Sequence, residues 1–177
     1  MRPSSIAVIA ASSLLLGIGI GFAAKYQGAG IDVIRNKPDK DAGLAALTEA
    51  EHVANGGSWE LIAVGRVYYL SGQKARGLAL FDYAITGRKP DGGDYERIAE
   101  VYAAAGENDR ASDSYEKMLA LDPKDDSNQA TVGAWYIRIG QREKGEALLA
   151  RALQRRRNDP WYYVHAAESL LGVPAGR

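Results

Sequence analysis

The stretch LIAVGRVYYLSGQKARGLALFDYAIT, residues 61–86, decides the fold. Leu61, Val64, Gly65 and Tyr68 follow one another at three- and four-residue steps, which places them on one face of a helix. Gly72 comes four residues after Tyr68 and fits the left-handed turn that closes a helix. A second helical face then begins with Gly77, Phe81, Ala84 and Ile85. Two helices joined by a tight turn are therefore predicted.

The same intervals return thirty-four residues later in Tyr95, Ile98, Ala99, Tyr102, Gly106, Ala111, Tyr115 and Met118. Leu119 follows, and Leu121-Asp122-Pro123 ends this copy, because the residue before a proline disfavours helix. A more degraded third copy keeps the spacing in Gln129, Val132, Gly133, Tyr136, Gly140, Gly145, Leu149 and Ala152. Pro90 and Pro160 fall one and three residues later than the second copy's proline would place them. Residues 39–54 carry Gly43, Leu47 and Ala50 at second-helix offsets and read as a lone second helix. Residues 160–171 read as a final capping helix. Eight helices are predicted, at residues 39–54, 58–71, 73–87, 94–105, 108–121, 127–139, 142–156 and 160–171. Tyr68, Phe81, Tyr102 and Tyr115 are the candidate aromatic core.

This pattern resembles the tetratricopeptide repeat, a helix–turn–helix unit of about 34 residues, here in a membrane-anchored bacterial form. The resemblance implies an all-α solenoid of about three helix pairs over residues 39–172, with a tail at 173–177. Such units bury their apolar faces only by stacking, and the stack leaves a concave surface for a partner. It also implies that first helices line that groove, with Trp59, Ile62, Arg66 and Tyr69 facing inward from the first copy. Glu96, Arg97, Glu100 and Ala103 follow from the second copy, and Ala130, Ala134, Ile137 and Arg138 from the third. The lysine and asparagine set with which some family members clamp a terminal carboxylate is missing, since the second copy offers Glu96 and Glu100. The groove is therefore expected to suit a mixed or partly basic peptide.

Lys and Arg together number 22 in the 177 residues, and Asp and Glu also number 22. This balance argues against a general nucleic-acid binder. It hides an asymmetry: acids outnumber bases over residues 91–126, and bases outnumber acids over 138–157. Neighbouring copies of opposite sign make either a solvated surface or a patch that steers a partner. Trp161, Tyr162 and Tyr163 are adjacent at the start of the last helix. Adjacent helical residues cannot share a face, so at least one is expected exposed, with Trp161 a candidate contact.

Residues 6–24 are apolar or small throughout, with Ser12 and Ser13 the only polar side chains. Nineteen helical residues span about 28 Å, close to the roughly 30 Å of a bilayer's hydrocarbon core. A retained anchor and a cleaved export signal both fit, and the length favours the anchor. Residues 1–25 are accordingly read as the anchor or signal and 26–38 as a linker. Arg2 precedes the span, and Lys25, Arg35, Lys37 and Lys40 follow it, so loop charge weakly opposes an outside solenoid. The periplasmic side is still preferred, because the segment also passes for an export signal. Ser13, Gly17 and Gly21 recur every four residues, a spacing that lets membrane helices approach closely.

The chain has no cysteine, which excludes disulfides and cysteine-rich metal sites. His52 and His165 lie on different predicted helices, and no phosphate-binding or nucleophile motif occurs. No enzyme, cofactor or metal is expected. The function expected is a membrane-anchored scaffold that recruits or assembles a protein complex. The alternatives are an accessory subunit of a larger membrane complex and an exported soluble adaptor.

Overall fold

The structure, a computed structural model, describes residues 28–174. A single 3-10 turn at Gly30–Val33 precedes eight helices: α1 (Asp39–Val53), α2 (Ser58–Leu70), α3 (Lys74–Thr86), α4 (Gly92–Ala104), α5 (Asn108–Leu121), α6 (Asp126–Arg138), α7 (Arg142–Arg155) and α8 (Pro160–Leu171). No strand occurs among the described residues. Each expected helix is present, with ends displaced by no more than two residues. The expected membrane helix and its packing residues Ser13, Gly17 and Gly21 lie outside the described residues. Among the described residues, no helix is long and apolar enough to cross a membrane.

The helices pair as α2 with α3, α4 with α5 and α6 with α7. Small residues set that pairing. A Cβ added to Gly77 would lie 2.7 Å from the Gly65 carbonyl oxygen, and one added to Gly145 would lie 2.5 Å from that of Gly133. The middle pair uses alanine on both sides, with Ala99 and Ala111 each 0% exposed. Gly72, Gly106 and Gly140 hold φ values of 94°, 74° and 83°, where only glycine is unstrained. Beside each, an amide reaches back five residues to a tyrosine carbonyl: Gln73 to Tyr68 at 2.9 Å, Glu107 to Tyr102 at 2.9 Å, and Gln141 to Tyr136 at 2.8 Å. These are Schellman-type closures, repeated at the period of the sequence.

Helix starts follow the same ruler. Asp125 and Asp159 cap α6 and α8, and Asp91 caps α4 in a reciprocal capping box with Asp94. Asp94 is fully buried, yet its carboxylate accepts from Ser58 at 2.6 Å and from Arg88 at 3.1 Å. This network pins the entry of α4 to the entry of α2, with Arg88 also donating to the Ser58 hydroxyl.

The core runs along the stack as three clusters, the first two sharing the half-buried Tyr102. Tyr68, Phe81 and Tyr115 are buried, as expected. Tyr102 is only half-buried: its ring meets Tyr69 and Phe81 edge-on at 5.6 and 6.1 Å, and the Arg110 guanidinium covers it at 5.3 Å. Phe81→Ala should cost about 3–5 kcal/mol in chemical denaturation, because its ring fills the space beside Gly65. Gly145→Ala should cost about 1–3 kcal/mol despite alanine's better helix propensity, since the new methyl meets backbone. Gly43→Ala, where no atom lies within 4 Å of the new carbon, should be neutral or stabilising in the same assay.

Candidate functional site: the inner helix layer

First helices pack on each other at two junctions, α2 on α4 and α6 on α8, whereas the second helices α3, α5 and α7 do not. A stack held more tightly along one layer curves toward that layer. Open grooves lie on the other side, one lined by Asp82, Arg110 and Lys117 and another by Glu116, Lys144 and Arg151. The first helices α2, α4, α6 and α8 thus form the layer that the resemblance places on the inside.

The middle junction is built differently. Here α6 packs on α5, and α4 and α6 are not in comparable contact. Trp135 carries the substitute contact: its ring lies 5.4 Å from that of Tyr115, and its indole N–H donates to Ser112 at 3.0 Å. The inner layer is consequently less closely joined between α4 and α6 than at its other two junctions. Both Glu96 and Arg138 act on the Tyr115 phenol at this junction. Burial pushes that phenol well above its usual range, Glu96 pushes it further, and Arg138 opposes them. An acid of the second repeat and a base of the third thus influence one buried side chain in opposite directions.

The other expected site residues divide into two groups. Trp59 is 51% exposed and stacks under the Arg97 guanidinium at 3.9 Å. Arg66 is exposed, and Glu96, Glu100, Arg97, Ala103 and Ile137 are half-buried. Arg138 is exposed and donates to the Val173 carbonyl at 2.8 Å, so the tail folds back toward this face. Trp161 and Tyr163 are 63% and 54% exposed, while Tyr162 between them is buried and caps the core.

Tyr69 needs correction. It is 1% exposed, packed where α2 meets α4, and cannot contact a partner. Ile62, Ala130 and Ala134 are buried too. Ile62 and Tyr69 are seven residues apart, so they share the α2 face that the next first helix covers. Tyr69 belongs instead to a polar clamp. Its hydroxyl donates to Glu107 at 2.6 Å and accepts from Arg110 at 2.8 Å, and Lys74 meets the other Glu107 oxygen at 2.5 Å. The third repeat has a counterpart, in which Tyr136 and Lys144 meet Glu116 at 2.6 and 2.9 Å.

These clamps expose a signal that the sequence carries and the eight-position pattern misses. Arg76, Arg110 and Lys144 stand thirty-four residues apart, each just before the small residue of a second helix. They lie over the rings of Tyr68, Tyr102 and Tyr136 at 5.1, 5.3 and 3.8 Å. Among the described residues no cluster of histidine and carboxylate side chains is placed to hold a metal.

The first clamp makes stability depend on pH. The Lys74 hydrogen bond, helped by that of Tyr69, holds the Glu107 carboxyl at about 2 instead of the ordinary 4.5. A carboxyl lowered on folding adds stability that is complete above its unfolded value and is lost as pH falls through the folded one. The melting temperature should therefore fall between about pH 5 and pH 2, and Glu107→Gln should flatten that part of the profile. Equal slopes in parent and variant would show that the clamp carries no linkage.

No family model matches the sequence. No curated protein matches it either. Solved structures do. The chain is similar to the crystal structure of MamA, with a TM-score of 0.51 and 14% identity over 75% of this chain and 80% of that one. It is also similar to a tetratricopeptide repeat protein from Parabacteroides merdae ATCC 43184, with a TM-score of 0.54 and 18% identity over 74% of this chain and 54% of that one. Helix pairs of thirty-four residues, glycine-closed turns and these likenesses agree: the chain has the tetratricopeptide-repeat fold.

Proposed function

We propose that the chain is a membrane-anchored interaction scaffold whose inner helix layer binds a segment of a partner protein. In this reading residues 6–24 remain attached and hold the chain in the cell membrane. Residues 26–38 link them to the repeat array, which stands on the periplasmic side. The apolar length of that segment supports the anchor. The repeat fold supports protein partners.

The observation that carries the binding reading is the looser junction between α4 and α6. Elsewhere the first helices close on each other. Here the charges of two repeats, Glu96 and Arg138, both act on the buried Tyr115 phenol, with opposite sign. A partner segment lying across this junction meets acid on the α4 side and Arg138 on the other, with Arg66 and the exposed rings of Trp59 and Trp161 at the two ends. Trp59 and Trp161 hold the same place in the thirty-four-residue register, three periods apart. Aromatic rings at the ends supply contact area, and the charges between them set orientation and on-rate. A partly basic segment fits the acidic α4 side best.

Replacing Glu96 and Glu100 together by lysine should weaken capture of the partner at least tenfold and change its salt dependence. The measurement is affinity purification of the full chain in mild detergent at several salt concentrations, with circular dichroism to confirm folding. Undiminished capture by a folded double variant would move the contact off α4. Mass spectrometry of the mature protein tests the anchor, since an amino terminus near Ala24 would mean a cleaved, exported chain.

A further inference from the structure

The thirty-four-residue register also describes the two ends of the stack, and there burial reverses. At internal junctions a first helix receives its predecessor through two positions seven residues apart. In α4 the second of these is Val101, and in α6 it is Trp135, at 1% and 6% exposure. The same position in α2 is Val67, 43% exposed. A first helix meets its successor through another such pair, Ile62 and Tyr69 in α2, both buried. In α8 that pair is Val164 and Leu171, 39% and 75% exposed.

The half-repeats are complementary in the same way. α8 is a first helix that meets α7 of the preceding repeat but has no following second helix packed on it among the described residues. Tyr163, Ala167 and Leu170 occupy the places that Leu61, Gly65 and Tyr68 fill in the first repeat. Those three are buried, and the α8 residues are exposed. Among the described residues α1 is a second helix without its first. Gly43 stands where Gly77 and Gly145 stand, but where they crowd a facing backbone it meets nothing within 4 Å. α1 has no buried residue at all. Exposed Asp39, Lys40 and Asp41 open α1, and exposed Arg155, Arg156 and Arg157 precede α8.

We propose that copies of this chain associate head to tail, with α8 of one copy seated on α1 and α2 of the next. The pair α8 and α1 then forms one intermolecular repeat, with Ala167 against Gly43 as Gly65 lies against Gly77. Val164 and Leu171 cover Val67 of the second copy, as internal junctions do. Such a contact uses different surfaces on the two copies, so it propagates into a ring or an open array. The proposal does not draw on the groove reading, because these surfaces lie at the ends of the stack.

The chain lacks cysteine, so introduced thiols report without background. Full-length protein in mild detergent is compared as Gly43→Cys, Ala167→Cys and the double variant. Both sites have room for the new side chain, since Gly43 faces open space and Ala167 is exposed. Oxidation of the mixed single variants should give a cross-linked pair, and the double variant should give a ladder of higher species. Adding Leu170→Asp and Leu171→Asp should abolish the ladder and weaken association at least tenfold in sedimentation, with unchanged circular dichroism. Three results overturn the proposal. One is a double variant that never links between copies, as when residues 1–27 cover α1 instead. Another is Ala167→Cys linking to itself as readily as to Gly43→Cys, which marks a two-fold contact. The last is a ladder that survives both aspartates.

Discussion

The structure depends on how closely two helices can approach within each repeat. At Gly65 and Gly77, and again at Gly133 and Gly145, backbone lies where a side chain would have to go. That approach sets the distance between the layers, and Phe81 then fits over Gly65 and bridges to Tyr69 and Tyr102. The middle repeat reaches a similar end with Ala99 and Ala111, both fully buried. Methyl groups there are accommodated by a half-buried Tyr102 in place of a fully enclosed ring. Close packing of this kind leaves no room for adjustment, so volume at these few positions decides the geometry of each pair.

Repeats that touch only their neighbours must also be joined to them. Apolar contact does most of this, as the core clusters show. Polar clamps fix the register. Glu107 gathers Tyr69 from one repeat, Lys74 from the next helix and Arg110 from its own, and Glu116 gathers Tyr136 and Lys144. Each tyrosine buries its ring and keeps its hydroxyl on a charged partner, so burial leaves the polar group satisfied. Exposed ion pairs alone contribute little. Here the buried phenol at the centre of each clamp gives the charges a fixed position.

Most of the fold was legible because each of its devices repeats. The spacing of Leu61, Val64, Gly65 and Tyr68, the turn glycines and the second-helix faces located all eight helices. Much of the candidate site was not legible, for a definite reason. A helix position counted from the pattern has a direction on its own helix, but its burial depends on the helix beside it. Tyr69 looked like a groove residue and is buried because α4 lies over it. The looser junction between α4 and α6 had no sequence signal at all, because it follows from α6 choosing α5 through Trp135 and Tyr115. Arg76, Arg110 and Lys144 were readable at the repeat period, yet a pattern built on apolar and small residues passes over them.

Val67 and Val101 make the point in one residue type. They occupy the same position of the same unit, one period apart, and one is exposed where the other is 1% exposed. Intrinsic hydrophobicity is identical; Val101 has the first helix of the preceding repeat beside it, and Val67 has no such first helix among the described residues. Burial in this fold is thus a property of junctions. At the junction closed through first helices the α2 side chains Ile62 and Tyr69 are buried, whereas Glu96 and Ala103, the matching α4 positions, are half-buried. The change at α6 therefore alters which helices close the stacking surface at that junction. There Glu96 and Arg138 act on the buried Tyr115 phenol with opposite sign, from positions the repeat already provides.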